Sequence, residues 1–594
     1  MNISFFSKVS PVKATQINSS NNTKIIETKK DEFVKKTSIS EDKEVLDKKV
    51  SPEVVEQELK DIKNFKGVPK FDEEKISQLV NIIKEEPEKW NALQVIVNEP
   101  KMISSLVMDF ASRDIDTLNA VAELTTLKDD NDKPRFTPLS IKSMANQLEG
   151  HQLAKVGILS TMPIDSEEII AIAKDDKITN PEKLVQKVNK FAKENPDFRR
   201  ISFCRDEYDE NAYNIRVDLP EQGAKILLLD KNLTERALEE VKMEKSSDGY
   251  PQQVKYSKDY INNTSSKVVS MKSPSIPQPI VIEETRIIRN SMGQLLRTEQ
   301  YSMSDLAGTP NIKYIYPDGS EKIICSGTYD ENTGKTLVKK DMTSVDGTRT
   351  QYFYEDDTLG NVHSSYTITD KNGNVLLDKN MSFEVIDENT CISTENDKKY
   401  EIKFLENKIQ VTNLNDGEIS VLELEGKIDG NKEKLMQSFK RMPAEEIIAL
   451  GQTTEKFDGI DNTNQSTYSA VSRTIKSGDN LFVVLHEAGH AKDYANVDVK
   501  QKETLVNSIF SNPEVNKIFE EEKAAFNKAF PLAQRDHISY FIKTSEHKDG
   551  LQEAIAETNA LLNTKNTEEL FSIRSNYLQQ YFPRTIALLA KIMD

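Results

Sequence analysis

Cysteine is scarce in this chain. The three residues, Cys204, Cys325 and Cys391, are odd in number and far apart, which excludes a disulfide framework and any cysteine-based metal knuckle. No apolar run approaches the about 18 residues that a membrane-spanning helix requires. The opening stretch, "MNISFFSKVSPVKATQ", also lacks the apolar core of a signal peptide. The expectation is therefore no membrane span, with the protein either cytoplasmic or exported without a standard signal peptide. A basic excess is missing as well: 97 acidic side chains against 79 Lys and Arg give a formal charge of −18. That argues against a nucleic-acid partner and against anionic membrane surfaces. Histidine is sparse, with six residues, so any clustering of histidines carries information.

The pattern along the 594 residues predicts a multidomain α+β protein. It has an N-terminal helical region, a central antiparallel β-hairpin meander and a C-terminal, mainly helical domain. Residues 1–50 are rich in Ser, Asn, Lys and Thr, too polar to offset chain entropy, and read as a disordered leader. From 51 to 200, segments such as "EEKISQLVNIIKEEPEKW" place apolar residues at helical spacing, without a strict repeat. A mixed α/β stretch follows at 201–261, then a proline-bearing segment at 262–280 that reads as a linker. Over 281–426, Gly319, Gly334, Gly347, Gly360 and Gly373 recur 15, 13, 13 and 13 residues apart, mostly within Asp-Gly or Asn-Gly pairs. Such pairs supply the positive φ of tight hairpins, so this section is expected to be an antiparallel meander. It resembles the tyrosine-aspartate repeat shells of bacterial toxins, although an ordinary β-scaffold fits the same pattern. Residues 430–594 return to helical periodicity.

That last section contains "LFVVLHEAGHAKDYA", residues 481–495. Asp479 or Asn480 offers a helix N-cap. On the helix that follows, His486 and His490 stand one turn apart on one face, with Glu487 beside them. This is the arrangement by which two imidazoles bind Zn2+ while a glutamate acts as general base on water. Asp493 continues the histidine stripe and is placed to accept a hydrogen bond from an imidazole. Gly489 weakens the helix, which suggests that something approaches its backbone closely. A third ligand is required. Asp493 and Asp498 are awkward candidates, whereas Glu553 and Glu557, four apart in "LQEAIAETNALLN", suit one metal ligand and one brace on an imidazole.

The pair of motifs "HEAGHAKD" and "EAIAE", with the ending "QQYFPRTIALLAKIM", resembles the lethal-factor-like gluzincins, the group containing the anthrax toxin peptidase domain and the Pro-Pro endopeptidases. The resemblance covers about the last 150 residues. It implies that His486, His490 and Glu553 bind zinc, that Glu487 is the general base, and that Glu557 supports a ligand. It also implies a tyrosine that stabilises the tetrahedral intermediate. Tyr540 is offered for that role, 13 residues before Glu553, with His547 and His537 as alternatives. The implied activity is a zinc-dependent endopeptidase acting on a protein or peptide substrate. Two other readings stand beside it: a secreted toxin or effector whose payload is this domain, and a catalytically inactive binding or scaffold protein.

Overall fold

A computed structural model describes residues 51–593 apart from Phe65, 130–131, Asp248, 272–279, Ser291, 304–306, 462–465, 498–507, 531–534, 536–537, Lys543, 546–547 and 565–572. The leader at 1–50 therefore lies outside the described residues. The fold is mixed α+β, with 17 α-helices and one large antiparallel sheet of 18 strands among the described residues. The chain divides into two compact units, Met1–Arg113 and Asp114–Asp594. The expected helical region at 51–200 is thus cut within its length.

Helices α1 (Pro52–Asp61), α2 (Glu73–Glu85), α3 (Trp90–Asn98) and α4 (Ser104–Ala111) form the described part of the first unit. After α1 the chain makes a small loop closed by a bridge from Lys63 to Pro69 and by a hydrogen bond from the Lys70 amide to the Ile62 carbonyl. The Lys70 ammonium then donates to the carbonyls of Val97 and Glu99 at 2.6 and 2.7 Å, capping the end of α3. The second unit opens with α5 (Ile115–Thr126) and repeats this loop: Lys128 bridges Pro134, Arg135 N–H donates to Leu127, and the Arg135 guanidinium reaches the Met162 carbonyl. The motif recurs 65 residues on. The two copies share little beyond a Glu-Leu-x3-Lys-x5-Pro-basic-Phe signature, which is why no repeat is countable in the sequence. The unit boundary falls between the copies.

From α6 (Pro138–Ala145) to α9 (Pro181–Glu194) the chain stays helical, then becomes sheet. Eighteen strands, from β1 (Arg200–Arg205) to β18 (Ile419–Glu423), pair each with the next in antiparallel register. The hairpin glycines Gly319, Gly334, Gly347, Gly360 and Gly373 all take positive φ. The meander starts some 80 residues before its expected boundary at 281. The stretch 201–261 is strand with one short 3-10 turn at Pro220–Gln222, and the supposed linker carries β6 (Thr264–Met271). Its prolines, Pro274, Pro277 and Pro279, lie outside the described residues. The early strands escaped the sequence reading because their buried side chains are often polar: Glu239, Ser257, Asp259, Thr264, Ser266 and Ser270 are all buried.

The C-terminal part of the second unit packs on this sheet. Helix α11 (Ala444–Thr453) lies on β16 (Lys398–Phe404), β17 (Lys408–Asn413) and β18. Helix α16 (Ile573–Tyr581) lies on β11 (Lys335–Thr343) and β12 (Arg349–Asp356), and α17 (Pro583–Met593) on β13 (Val362–Thr369) and β14 (Val375–Asp387). A single apolar core runs from Tyr301 and Val338 in the sheet to Leu485 and Leu589 in the helices. The start of α17, "FPRT", is held by the buried Glu522 of α13 (Pro513–Ala529), which accepts both amides of Arg584 and Thr585 and the Thr585 hydroxyl. A small second sheet joins β19 (Ile428–Gly430), β20 (Lys456–Gly459), β22 (Thr474–Ser477) and β21 (Thr467–Ser469) in that order, with β21 antiparallel at the edge.

Candidate metal centre

Helix α12 (Leu481–Asp493) is capped by Asn480, whose side-chain oxygen accepts the amides of Phe482 and Val483. Its apolar face, Leu481, Phe482, Val484, Leu485, Ala488 and Ala491, is buried, which turns His486 and His490 toward α15 (Gly550–Asn563). The two helices touch backbone to backbone. A Cβ on Gly489 would stand 2.6 Å from the Ala556 Cα, so the close approach expected at this glycine is there.

The contact brings Glu553 of α15 between the two imidazoles. Its Oε2 lies 3.3 Å from His486 Nε2 and 3.4 Å from His490 Nε2. It is buried without a hydrogen bond of good geometry. Donors that share one zinc ion tetrahedrally, each at about 2.0–2.1 Å, stand about 3.3–3.4 Å from one another. The spacing fits that geometry, and these three side chains form the one such cluster among the described residues. The charges fit a cation too. Burial opposes protonation of His486, yet Glu553 and Glu557 push its pKa up to about 9. Burial likewise works against an ionised Glu553, but His486, His490 and Tyr540 hold it well below the usual carboxylate range.

Around this set the structure supplies supports. Glu557, fully buried, lies 3.3 Å from His486 Nδ1 and accepts two hydrogen bonds from Arg574 at 3.1 and 3.2 Å. Glu487 is 7 % exposed. Burial raises its pKa, and a hydrogen bond from the Tyr468 backbone of β21 works against that shift. The Tyr540 hydroxyl lies against the Glu553 carboxylate; burial first, and Glu553 second, push its pKa up. The 13-residue separation is absorbed by local structure. Tyr540 belongs to the short α14 (Ser539–Ile542), and the two-stranded ribbon β23 (Thr544–Ser545) and β24 (Lys548–Asp549) turns the chain straight into α15.

Asp493 is buried at the end of α12, with its Oδ2 unpartnered among the described residues. Its Oδ1 accepts the Phe510 amide at 2.8 Å, and burial pushes its pKa up to about 6. The carboxylate against an imidazole Nδ1 is Glu557 of α15, at His486. Asp498, His537 and His547 lie outside the described residues.

Several residues at this centre were not legible beforehand. Arg574 is one. Another group is a buried polar set: the Lys492 ammonium pairs with Glu446 of α11 and donates to Asn559 at 3.0 Å. Asn559 and Asn563 also donate to Glu446, and Asn559 to the Leu485 carbonyl. Of these, Lys492 alone stands out in the sequence, as the only lysine of α12. Comparison with known proteins yields no match to any protein family, curated protein or solved structure.

Proposed function

We propose that the chain is a zinc-dependent endopeptidase of the lethal-factor-like gluzincin type, with residues 430–594 as the peptidase domain and the sheet as its scaffold. The observation that carries this reading is the convergence of His486, His490 and Glu553 at zinc-ligand spacing, with a buried glutamate beside the first histidine. A zinc ion held there would polarise a substrate carbonyl and lower the pKa of water toward about 7.

The chain's own groups divide the remaining work. Glu487 takes the proton from the attacking water at its carboxylate and passes it to the leaving amine nitrogen. Burial has already made it a better base than an exposed glutamate. The Tyr540 hydroxyl donates a hydrogen bond to the oxyanion that develops on the scissile carbonyl. Glu557 holds the His486 ring in one tautomer and orientation by accepting from Nδ1. No described helix is long and apolar enough to cross a membrane, in keeping with a protein or peptide substrate met in water.

The test is a cleavage assay on a synthetic peptide library read by mass spectrometry. Wild type is expected to cut a defined subset of peptides, a metal chelator to stop it, and Glu487→Ala to abolish cutting while keeping zinc. A Glu487→Ala protein as active as wild type would remove the general base from the scheme.

A further inference from the structure

Helix α16 faces two ways. At 100° per residue, Arg574 projects roughly opposite to Asn576, Gln579 and Gln580. On that second side the helix is tied to the sheet by hydrogen bonds, most of them between buried groups. Asn576 donates to Asn311 at 2.8 Å. Tyr577, between the two sides, donates to Glu284 at 3.2 Å. Lys340 donates to the Gln579 side chain at 3.0 Å and Thr350 to the Gln579 carbonyl at 3.1 Å. Gln580 donates to the Thr343 carbonyl at 3.3 Å. These partners come from β7 (Ile280–Arg289), β9 (Ala307–Ile315), β11 and β12. Apolar packing would let a helix slide along a sheet. Directional hydrogen bonds between buried groups admit one position only, because each misplaced partner is left unpaired. On its first side the helix offers Arg574, whose guanidinium holds Glu557, and Glu557 meets His486 Nδ1.

We infer that α16 is a strut through which the large sheet positions the metal centre: the polar lock of Asn576, Tyr577, Gln579 and Gln580 on the sheet sets where Arg574 stands, and Arg574 sets the carboxylate that orients His486. Arg574 is a positioning residue, acting through Glu557. The sheet is then part of the machinery rather than a carrier for it. This rests on the reading of His486, His490 and Glu553 as metal ligands, and it adds that their affinity depends on residues more than a hundred positions away in sequence.

The experiment is a zinc dissociation constant, measured by competition with a chromophoric chelator on the full chain, with folding checked by circular dichroism. Arg574→Met is expected to weaken zinc about tenfold, and Arg574→Lys, which keeps the charge, to recover part of that loss. The sheet variant Lys340→Met/Thr350→Val cuts both links to Gln579 and is expected to weaken zinc about threefold. If it does not fold, Tyr577→Phe, which removes one hydroxyl, replaces it. Combining the sheet variant with Arg574→Met should weaken zinc no further than Arg574→Met alone, since both act through one contact. The surface control Arg349→Gln, which only breaks an exposed pair with Asp341, should bind as wild type. Folded variants that bind zinc as tightly as wild type, or effects that multiply in the combination, overturn the strut while leaving the metal site standing. A wild type without a tight zinc site overturns both.

Discussion

Where α12 comes closest to α15 the residues are glycine and alanine; where α16 meets the sheet they are asparagine, tyrosine, glutamine and lysine. The first contact places His486 and His490 against Glu553 by bringing two backbones as close as they can come, with Gly489 against Ala556. The second places the supporting arginine by matching hydrogen-bond groups. Close packing sets distance and cannot be relaxed. Polar matching sets register, and each group that loses its partner costs about 1–3 kcal/mol. A centre held in both ways should fail differently at each contact, and that difference can be tested.

The largest loss is expected where the two modes meet. Lys492→Met leaves Glu446, 2 % exposed, without its cation and with only the amides of Asn559 and Asn563. Breaking a buried pair from one side should cost about 3 kcal/mol, read as a lower midpoint in urea unfolding. Next comes Gly489→Ala. The new methyl meets main-chain atoms of Ala556, which cannot rotate away, so about 2 kcal/mol should be lost despite alanine's better helix propensity. Zinc should weaken with it. A stabilised Gly489→Ala protein would mean the helices are not in backbone contact.

The polar contact has a pH signature. Burial pushes the pKa of Lys340 down to about 8, below the ordinary value near 10.4. Between those two values the unfolded chain binds more protons, so stability should rise with pH across that window, by at most about 1.4 kcal/mol per pH unit. Lys340→Met should flatten this slope in urea titrations from pH 8 to pH 10; an unchanged slope would place its origin elsewhere. The smallest effect is expected far from either contact. Gly373→Ala at a hairpin tip has open space for the methyl but a φ of +86°, so about 1 kcal/mol should be lost with zinc affinity unmoved.

The same contrast explains what could be read from the sequence. Helix α12 was legible because its information is local: a cap, a helical period and two histidines four apart. The hairpins after 307 were legible through their glycine turns. Strands before the expected boundary at 281 hid because serine, threonine and glutamate fill much of their buried face, and an apolar count misses a polar core. Tyr540 looked too distant because a two-stranded ribbon, made of two residues a side, leaves almost no periodic signal. Arg574 gave none at all. It is one arginine in the first turn of a helix, and its partner Glu557 lies 17 residues back, a spacing with no helical or strand meaning. The loop repeated at Lys63 and Lys128 was lost because its geometry is made by backbone hydrogen bonds that many sequences can form.

The most direct test of the account is metal content by elemental analysis of purified wild type and Glu553→Ala. The account predicts close to one zinc per wild-type chain and little or none in the variant. Zinc retained by Glu553→Ala, or absent from wild type, would contradict it.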